Sequence, residues 1–239
     1  MLTLFVPSSY EVAVFRRALT EMQKTRLGAA PGWTGKLENV PVRVVECGMG
    51  QPHSALRIEA VLRACAEEKE PVWLAGFGGG LDPALARYDM VYLAGDAAAE
   101  KPILAAQRKI PARKIDKIYT SDVVVDTEAK KIAAFQATGA PIVDMETGPF
   151  LELAKEHGRP AAVLRVISDD VAEEFPADLI GHSYDFAQGK DTPGRLAWRL
   201  ATHPGDIWRL KKFLAPLPEA RVRLLAFVRE VLRAWREDR

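Results

Sequence analysis

Two acidic residues stand where buried strands of this chain are predicted to end. Glu146 follows the short apolar stretch 142–144, and Asp169 follows the longer apolar stretch 161–167. Two carboxyl groups at one site can divide the work of breaking a bond to a sugar, because one offsets positive charge on the sugar and the other protonates the leaving group. A simpler interpretation is also open, since an acid after a strand often caps the next helix, and the spacing alone does not decide.

Strands alternate with helices along most of the chain, and this alternation predicts the elements that position the two acids. It indicates an α/β fold, a single domain with a central, mostly parallel or mixed, twisted sheet flanked by helices. The first helix is predicted from Val12, Phe15, Leu19 and Met22, which recur at helical spacing. Further helices are predicted from about residue 52, over 127–138 and from 146 to 157. Strands are predicted at 2–6, 40–47, 72–75, 90–94, 118–125, 142–144 and 161–167.

Ligands of such sheets bind beyond the carboxyl ends of the strands. That rule brings together the glycine-containing segments 48–50 and 76–80 and the two acids. Because one helix separates their strands, we expect Glu146 and Asp169 on neighbouring parallel strands, about 5 Å apart, facing one pocket.

The C-terminal part of the chain differs from the rest. Residues 1–175 are predicted to form the α/β domain, and residues 176–239 a helical extension that packs on the domain or on a second subunit. Its last predicted helix, 222–235, is amphipathic and rich in arginine, so contact with a membrane surface or with a lipid-like substrate is the alternative.

Composition excludes several classes of protein. The 239 residues are 48% hydrophobic with a net charge of +1, which fits one sizeable core and gives no field that would attract nucleic acid. No apolar run reaches the roughly 18 residues of a transmembrane segment, and residues 2–6 lack the features of a signal peptide, so we predict a cytoplasmic protein. The histidines and two cysteines lack metal-ligand spacing, and the glycine loops lack the third glycine of a dinucleotide site. We therefore predict no metal and no cofactor.

The chemistry-bearing segments resemble those of a known family. Val143-Asp144-Met145-Glu146 followed by Arg165-Val166-Ile167-Ser168-Asp169 is similar to the paired signature of methylthioadenosine/S-adenosylhomocysteine nucleosidases and the related purine and uridine phosphorylases. Segments 48–50, 79–83 and 120–124 match the same superfamily in the expected order. The resemblance implies cleavage of the N-glycosidic bond of a purine, adenine-type nucleoside by a homo-oligomer.

The resemblance also implies roles for individual residues. Asp169, oriented by Ser168, would protonate the leaving purine, which requires that burial keeps it protonated. Glu146 would bind the ribose hydroxyls, and Glu11 would activate water, although an exposed place on the first helical turn is an equal alternative for Glu11. His53 is interpreted as a helix-start residue in preference to a catalytic one. Further substrate contacts are expected from Met145, Gly50, Gly78, Phe77, Val123 and Val124.

The acceptor of the sugar is either water or phosphate. Leu74 and Phe77 stand where the phosphorylases carry charged and hydroxyl groups, and an apolar loop does not balance a phosphate dianion, which favours hydrolysis. Phosphorolysis with phosphate as co-substrate is the alternative, with charge supplied by Arg16, Arg17 or Arg43. The chain is also similar to hopanoid-associated phosphorylases, which implies an adenosine attached to a triterpenoid. A non-catalytic nucleoside-binding protein on the same fold is the remaining hypothesis.

Overall fold

The computed structural model describes residues 1–185 and 188–238, and one mixed sheet runs through its centre. Residues 186, 187 and 239 of the predicted extension lie outside the described residues. The strands of the described part are β1 (Leu2–Val6), β2 (Thr20–Leu27), β3 (Ala30–Leu37), β4 (Val40–Glu46), β5 (Val72–Gly80), β6 (Met90–Ala94), β7 (Arg113–Lys114), β8 (Tyr119–Thr120), β9 (Ile142–Asp144), β10 (Ala161–Asp169), β11 (Tyr184–Asp185) and β12 (Lys190–Asp191). The helices are α1 (Ser9–Ala18), α2 (His53–Ala64), α3 (Ala97–Ala106), α4 (Glu128–Thr138), α5 (Thr147–Glu156), α6 (Ala177–Ser183), α7 (Pro193–Thr202), α8 (Gly205–Leu214) and α9 (Leu217–Glu237).

The sheet is mixed, and its centre is parallel. Its main path runs β2-β3-β4-β1-β5-β10-β6-β7, with β9 attached to the end of β5 and β8 attached to β9. Strands β4, β1, β5 and β10 are mutually parallel neighbours, whereas β6 and β9 run antiparallel to β10 and β5. The predicted α/β class with helices around a mixed sheet is confirmed.

Helices cover both faces of the sheet. Successive residues of a strand point to opposite faces, so they pack against different helices. Leu4 and Trp73 pack in the core cluster that contains α1, α3 and α9. Their neighbours Phe5 and Leu74 pack in the cluster that contains α2 and α5. The parallel strands are therefore apolar on both sides, as is typical of a covered sheet.

The N-terminal helix is shorter than predicted. It ends at Ala18, and Met22, assigned to its apolar face, lies instead on β2 and is 47% exposed. Strand β2 pairs with β3 in a hairpin that the sequence analysis missed. The reason is that β2 has no buried residue and hence no alternation of apolar and polar side chains to reveal it.

Two strands run further than predicted and one is shorter. Strand β5 continues through the glycine cluster to Gly80, and β10 continues through Asp169, because pairing with neighbours supports both extensions. The predicted strand 118–125 keeps only β8. After it, Ser121 Oγ accepts a hydrogen bond from the backbone N–H of Val123, which turns the chain away from the sheet.

The C-terminal helices differ in how they pack. Helix α9 lies on the sheet, and its apolar residues, such as Phe227 and Val231, are part of the main core. Helices α7 and α8 instead expose Trp198 and Trp208, each at least 70% accessible. Over the described residues, no helix combines the length and apolar character needed to cross a bilayer. Membrane contact and a second subunit stay predictions.

Candidate active site

A cavity of about 330 Å³ opens at the end of the sheet where β5 and β10 finish. Its volume lies in the range of small-molecule sites. One part of its lining carries carboxyl groups and glycine backbone. Another part, called the outer wall, is apolar and is formed by Phe175, Phe213, Leu214 and Leu217. The residues that line it are Pro7–Glu11, Met49, Phe77–Gly79, Val123–Val125, Val143–Glu146, Ser168, Asp169, Phe175, Ile180, Ser183, Tyr184, Asp191, Phe213, Leu214 and Leu217.

Glu146 and Asp169 both open into this cavity, but their strands are not neighbours as expected. Strand β5 lies between them, so that Gly79 pairs with Asp169 of β10 on one side and with Val143 of β9 on the other. A register shift between Ile167 and Asp169 marks a β-bulge, a feature that changes the direction in which the following side chain points. The two acids thus flank the end of one glycine-rich strand.

Glu146 occupies the N-terminal cap position of α5 without making a side-chain capping bond. Its carboxylate instead accepts a hydrogen bond of 2.8 Å from the backbone N–H of Gly50. Gly48 and Gly50 both have positive φ angles, of 87° and 73°, which glycine adopts without strain. The glycine loop after β4 therefore presents an N–H group to Glu146, and the capping interpretation of this acid is wrong.

Arg165 links Asp144 and Glu146 beneath the cavity. Its side chain is fully buried on β10, and it donates to Asp144 Oδ2 at 2.6 Å and 3.0 Å and to Glu146 Oε2 at 3.4 Å. Its Nη1 atom has no hydrogen-bond partner, and a Cβ placed on Gly76 would meet both Nη1 and Glu11 Oε1 within 3 Å. Only glycine at this position leaves room for the guanidinium and Glu11 to approach each other.

Glu11 lies on the first turn of α1, yet it is buried and faces the cavity, so the exposed alternative is wrong. Ser8 and Glu11 form a reciprocal capping box, and Glu11 Oε1 accepts a hydrogen bond of 2.7 Å from the N–H of Phe77. Burial raises the pKa of Glu11 despite the hydrogen bonds from Ser8 and Phe77 and the charge of Arg165. A carboxylate of raised pKa is the better proton acceptor for a water molecule.

Asp169 has two partners in the structure. Ser168 Oγ donates to its Oδ1 at 2.6 Å, as the predicted orienting role requires. The other oxygen, Oδ2, receives a hydrogen bond of 2.5 Å from Nζ of Lys131, a fully buried residue of α4. Lys131 therefore places a positive charge directly against the predicted acid, a contact that the sequence analysis did not anticipate.

The remaining predicted contacts divide into two groups. Met145, Phe77, Gly78, Val123 and Val124 all line the cavity, and Val123 lies at its open side, 70% exposed. Gly50, the other predicted contact, does not line it and acts through Glu146. Three residues considered for other reasons also lie elsewhere: His53 begins α2, as interpreted, Leu74 lies in the core, and Arg43 pairs with Glu68.

Sequence reasoning gave no role to Asp144, Arg165 or Lys131. A signal existed for Arg165, because it is a cation inside the otherwise apolar strand β10. Lys131 gave no such signal, because it is one of two adjacent lysines on a helix and nothing in the sequence distinguishes it from Lys130, which lies at the surface. The extension was considered as a contact for a lipid-like substrate, but its residues in the cavity wall, Phe213, Leu214 and Leu217, were not identified, because their position depends on how the extension folds back over the domain.

The pH dependence of stability tests the environment of Glu146. Burial, opposed by Arg165 and reinforced by Asp144, raises the pKa of Glu146 from 4.5 to about 7. Between pH 4.5 and 7 the folded protein therefore holds a proton that the unfolded chain has released. The free energy of unfolding falls as the pH rises through this range, because the folded protein must then bury a charged carboxylate. We expect E146Q to gain stability relative to the unmodified protein across this window, by at most about 3 kcal/mol. Urea unfolding between pH 5 and pH 8 measures it.

Glu152→Gln on the exposed side of α5 is the matched control and should leave the pH profile unchanged. Parallel profiles for the unmodified protein and E146Q would contradict the raised pKa.

Comparison with known proteins agrees with this architecture. Residues 94–189 match the model of the phosphorylase superfamily, which confirms the resemblance seen in the sequence motifs. A search of curated proteins found none with significant sequence similarity.

Solved structures match over nearly the whole chain. A 5′-methylthioadenosine/S-adenosylhomocysteine nucleosidase of Neisseria meningitidis, 16% identical, superimposes with a TM-score of 0.70 over 97% of each chain. The corresponding nucleosidase of S. pneumoniae is 19% identical, with a TM-score of 0.71 over 98% of each chain. Futalosine hydrolase of Helicobacter pylori is 15% identical, with a TM-score of 0.72 over 97% of each chain. The chain therefore has the same fold as these solved structures, and residues 94–189 match the model of the phosphorylase superfamily in sequence.

Proposed function

We propose that this protein cleaves the N-glycosidic bond of a purine nucleoside of the adenine type, with water as the acceptor. The observation that carries the proposal is that Glu146 and Asp169 flank the end of β5 and open into one cavity. The similar structures include nucleosidases named for 5′-methylthioadenosine and S-adenosylhomocysteine, both of which contain adenine. Their names support this choice of substrate class.

Each carboxyl group has a distinct task in this reaction. Glu146, held by Gly50 and Arg165, accepts hydrogen bonds from the ribose hydroxyls and offsets the positive charge that develops on the sugar. Met145 and Phe77 pack against the sugar. As the bond breaks, its electron pair goes to the base, which takes a proton delivered through Asp169. Glu11 takes the proton of the attacking water, so that protons and charges balance.

The charges around the cavity favour water over phosphate. Among the described residues, the cavity is lined by Glu11, Asp144, Glu146, Asp169 and Asp191, and by no lysine, arginine or histidine. Arg165 lies beneath the wall and already faces Asp144 and Glu146. A phosphate dianion would meet like charges, and the lining residues that the structure describes include no cation to balance it. Arg43, considered as a source of charge, is paired with Glu68 away from the cavity.

The outer wall supports an apolar group at the 5′ position of the nucleoside. Phe175 and Phe213 contact edge to face with 4.8 Å between ring centres, and Leu214 and Leu217 extend this surface toward α9. Trp208 is exposed on the same helix as Phe213. Burial of an alkyl chain here would contribute about 0.8 kcal/mol for each methylene group. This wall favours the second candidate substrate, a lipid-linked adenosine, over adenosine itself.

Activity measurements test both parts of the proposal. The purified protein is incubated with adenosine, methylthioadenosine or adenosine bearing a long 5′-alkyl chain, with and without phosphate, and the products are separated by chromatography. We expect free adenine and a free sugar in every case without phosphate, and the highest kcat/KM for the alkylated nucleoside. Formation of a sugar 1-phosphate would overturn hydrolysis, and preference for methylthioadenosine would overturn the lipid-linked substrate. Binding without turnover would establish the non-catalytic alternative.

A further inference from the structure

Lys131 is a buried cation that the chemistry described so far does not use. Its side chain is fully buried, and its ammonium group donates to Asp169 Oδ2 at 2.5 Å and to the carbonyl oxygens of Asp170 and Glu173 at 2.5 Å and 2.7 Å. Three donors thus meet three acceptors, so the group is satisfied and fixed in place. Its position on α4 is set by the helix cap, where Thr127 Oγ1 accepts a hydrogen bond from the N–H of Lys130.

This pairing creates a conflict with the task of Asp169. A buried ammonium group is stable only beside a negative charge, and Asp169 is the carboxylate that its Nζ contacts. An ionised carboxylate has no proton to give to a leaving base. Two groups donate hydrogen bonds to Asp169, the hydroxyl of Ser168 and Nζ of Lys131, and the ammonium group is by far the stronger acid of the two.

We propose that Lys131 is a positioning residue and proton source for Asp169, an inference that rests on the proposed nucleosidase activity. As the C–N bond breaks and its electron pair passes to the base, a proton passes from Nζ to the carboxyl group of Asp169. From there a proton passes to a ring nitrogen of the base. Lys131 is left as a neutral amine and Asp169 as a carboxylate. The amine takes a proton back from solvent after the base leaves the cavity.

The surroundings of the pair leave this transfer to Lys131 and Asp169 alone. Lys130 on the same helix points outward and pairs with Asp126. Glu173 offers its carbonyl oxygen to Lys131, while its carboxylate pairs with Arg87. The other charged groups on segments around the pair are Asp170, next to Asp169 in the chain, and Asp144 and Glu146 across the cavity.

The pH profile of a Lys131→Met variant tests the proposal. In the unmodified protein Nζ of Lys131 supplies the proton across the hydrogen bond to Asp169, whereas in the variant Asp169 must take its proton from solvent, which is less available at high pH. We therefore expect the alkaline limb of kcat to move to lower pH by at least one unit, which is a tenfold or greater loss at alkaline pH. Lys130→Met, the same change at the neighbouring exposed residue, should leave the profile unchanged.

A second substrate separates a chemical role from a structural one. The leaving group of 4-nitrophenyl riboside departs as a stable anion and needs no proton. K131M should therefore keep turnover of this substrate within a few-fold of the unmodified protein while losing turnover of the purine nucleoside. Equal losses on both substrates, or an alkaline limb that does not move, would overturn the proposal.

The ionisation of Asp169 gives a readout that does not depend on activity. With ¹³C-labelled aspartate, the Asp169 carboxyl signal, assigned by its absence in D169N, should show the ionised form at neutral pH in the unmodified protein. In K131M it should show the protonated form over part of the same range. If no nucleoside is cleaved but these signals behave as expected, the proposed function fails and the Lys131–Asp169 coupling stands. A signal unaffected by K131M would refute the coupling itself.

Discussion

Asp169→Asn is expected to lower the turnover of a purine nucleoside by about 10²–10⁴-fold, the range that a positioned general acid contributes. Asparagine keeps the shape of the side chain and its contact with Ser168 Oγ, but it cannot pass a proton to the base. The loss should appear in kcat, because the proton is needed only as the bond breaks. Steady-state rates, measured with whichever of the tested nucleosides gives the highest kcat/KM, test this expectation.

Asp170→Asn is the matched control, since this neighbouring acid does not line the cavity and its Oδ1 accepts a hydrogen bond from the N–H of Ala172. Its turnover should stay close to that of the unmodified protein. Full activity of D169N would remove the proposed mechanism.

D169N should also lower stability, because it leaves the ammonium group of Lys131 buried without a counter-ion. The combined D169N/K131M variant removes both charges, and its stability should exceed that of D169N. This comparison separates loss of the acid from damage to the fold.

The site was predictable from the sequence only to the extent that local patterns determine it. Glu146 and Asp169 follow apolar stretches that form β9 and β10, and both stretches had the right length and composition to be recognised as strands. That both acids reach one cavity follows from the general behaviour of strand ends. The route by which they meet did not follow, because the sequence does not show that β5 lies between them.

Long-range contacts account for what was missed. Strand β5 was predicted to stop at its glycines, yet these residues pair with β10 on one side and β9 on the other, and their small size allows the close approach of Asp169 and Val143. Lys131 lies 38 positions from Asp169 in the chain, and nothing in the pattern of α4 distinguishes it from a surface lysine. The sequence identifies the acids at strand ends and marks Arg165 as a cation in an apolar strand, but it does not reveal that Lys131 pairs with Asp169.

Arg165→Met is expected to lower the free energy of unfolding by about 3–5 kcal/mol, the typical effect of removing one partner from a buried ion pair. Arg165 is fully buried, bonds twice to Asp144 and faces Glu146, so the variant leaves these carboxylates in the protein interior without a cation. Since small domains are stable by only about 5–15 kcal/mol, this is a large fraction of the total. Urea unfolding at pH 8 measures it.

Arg63→Met provides the control, because Arg63 is 75% exposed and forms a surface pair with Glu59 on its own helix. Surface pairs of this kind contribute about 0–1 kcal/mol. Arg165→Lys should fall between the two, since lysine keeps the charge but cannot bond to Asp144 through two nitrogen atoms as arginine does. A loss in R165M no larger than in R63M would show that the buried pair does not stabilise the fold.

The pH dependence of R165M shows whether the loss is electrostatic. Burial already raises the pKa values of Glu11 and Glu146, and Arg165 opposes the rise in both. Without the guanidinium, both groups should bind protons at still higher pH in the folded state, so that protonation relieves the uncompensated charge as pH falls. The stability difference between R165M and the unmodified protein should therefore shrink between pH 8 and pH 6. A difference that stays constant would mean that the variant fails through lost packing, and that Glu11, Asp144 and Glu146 do not depend on Arg165 for their charge balance.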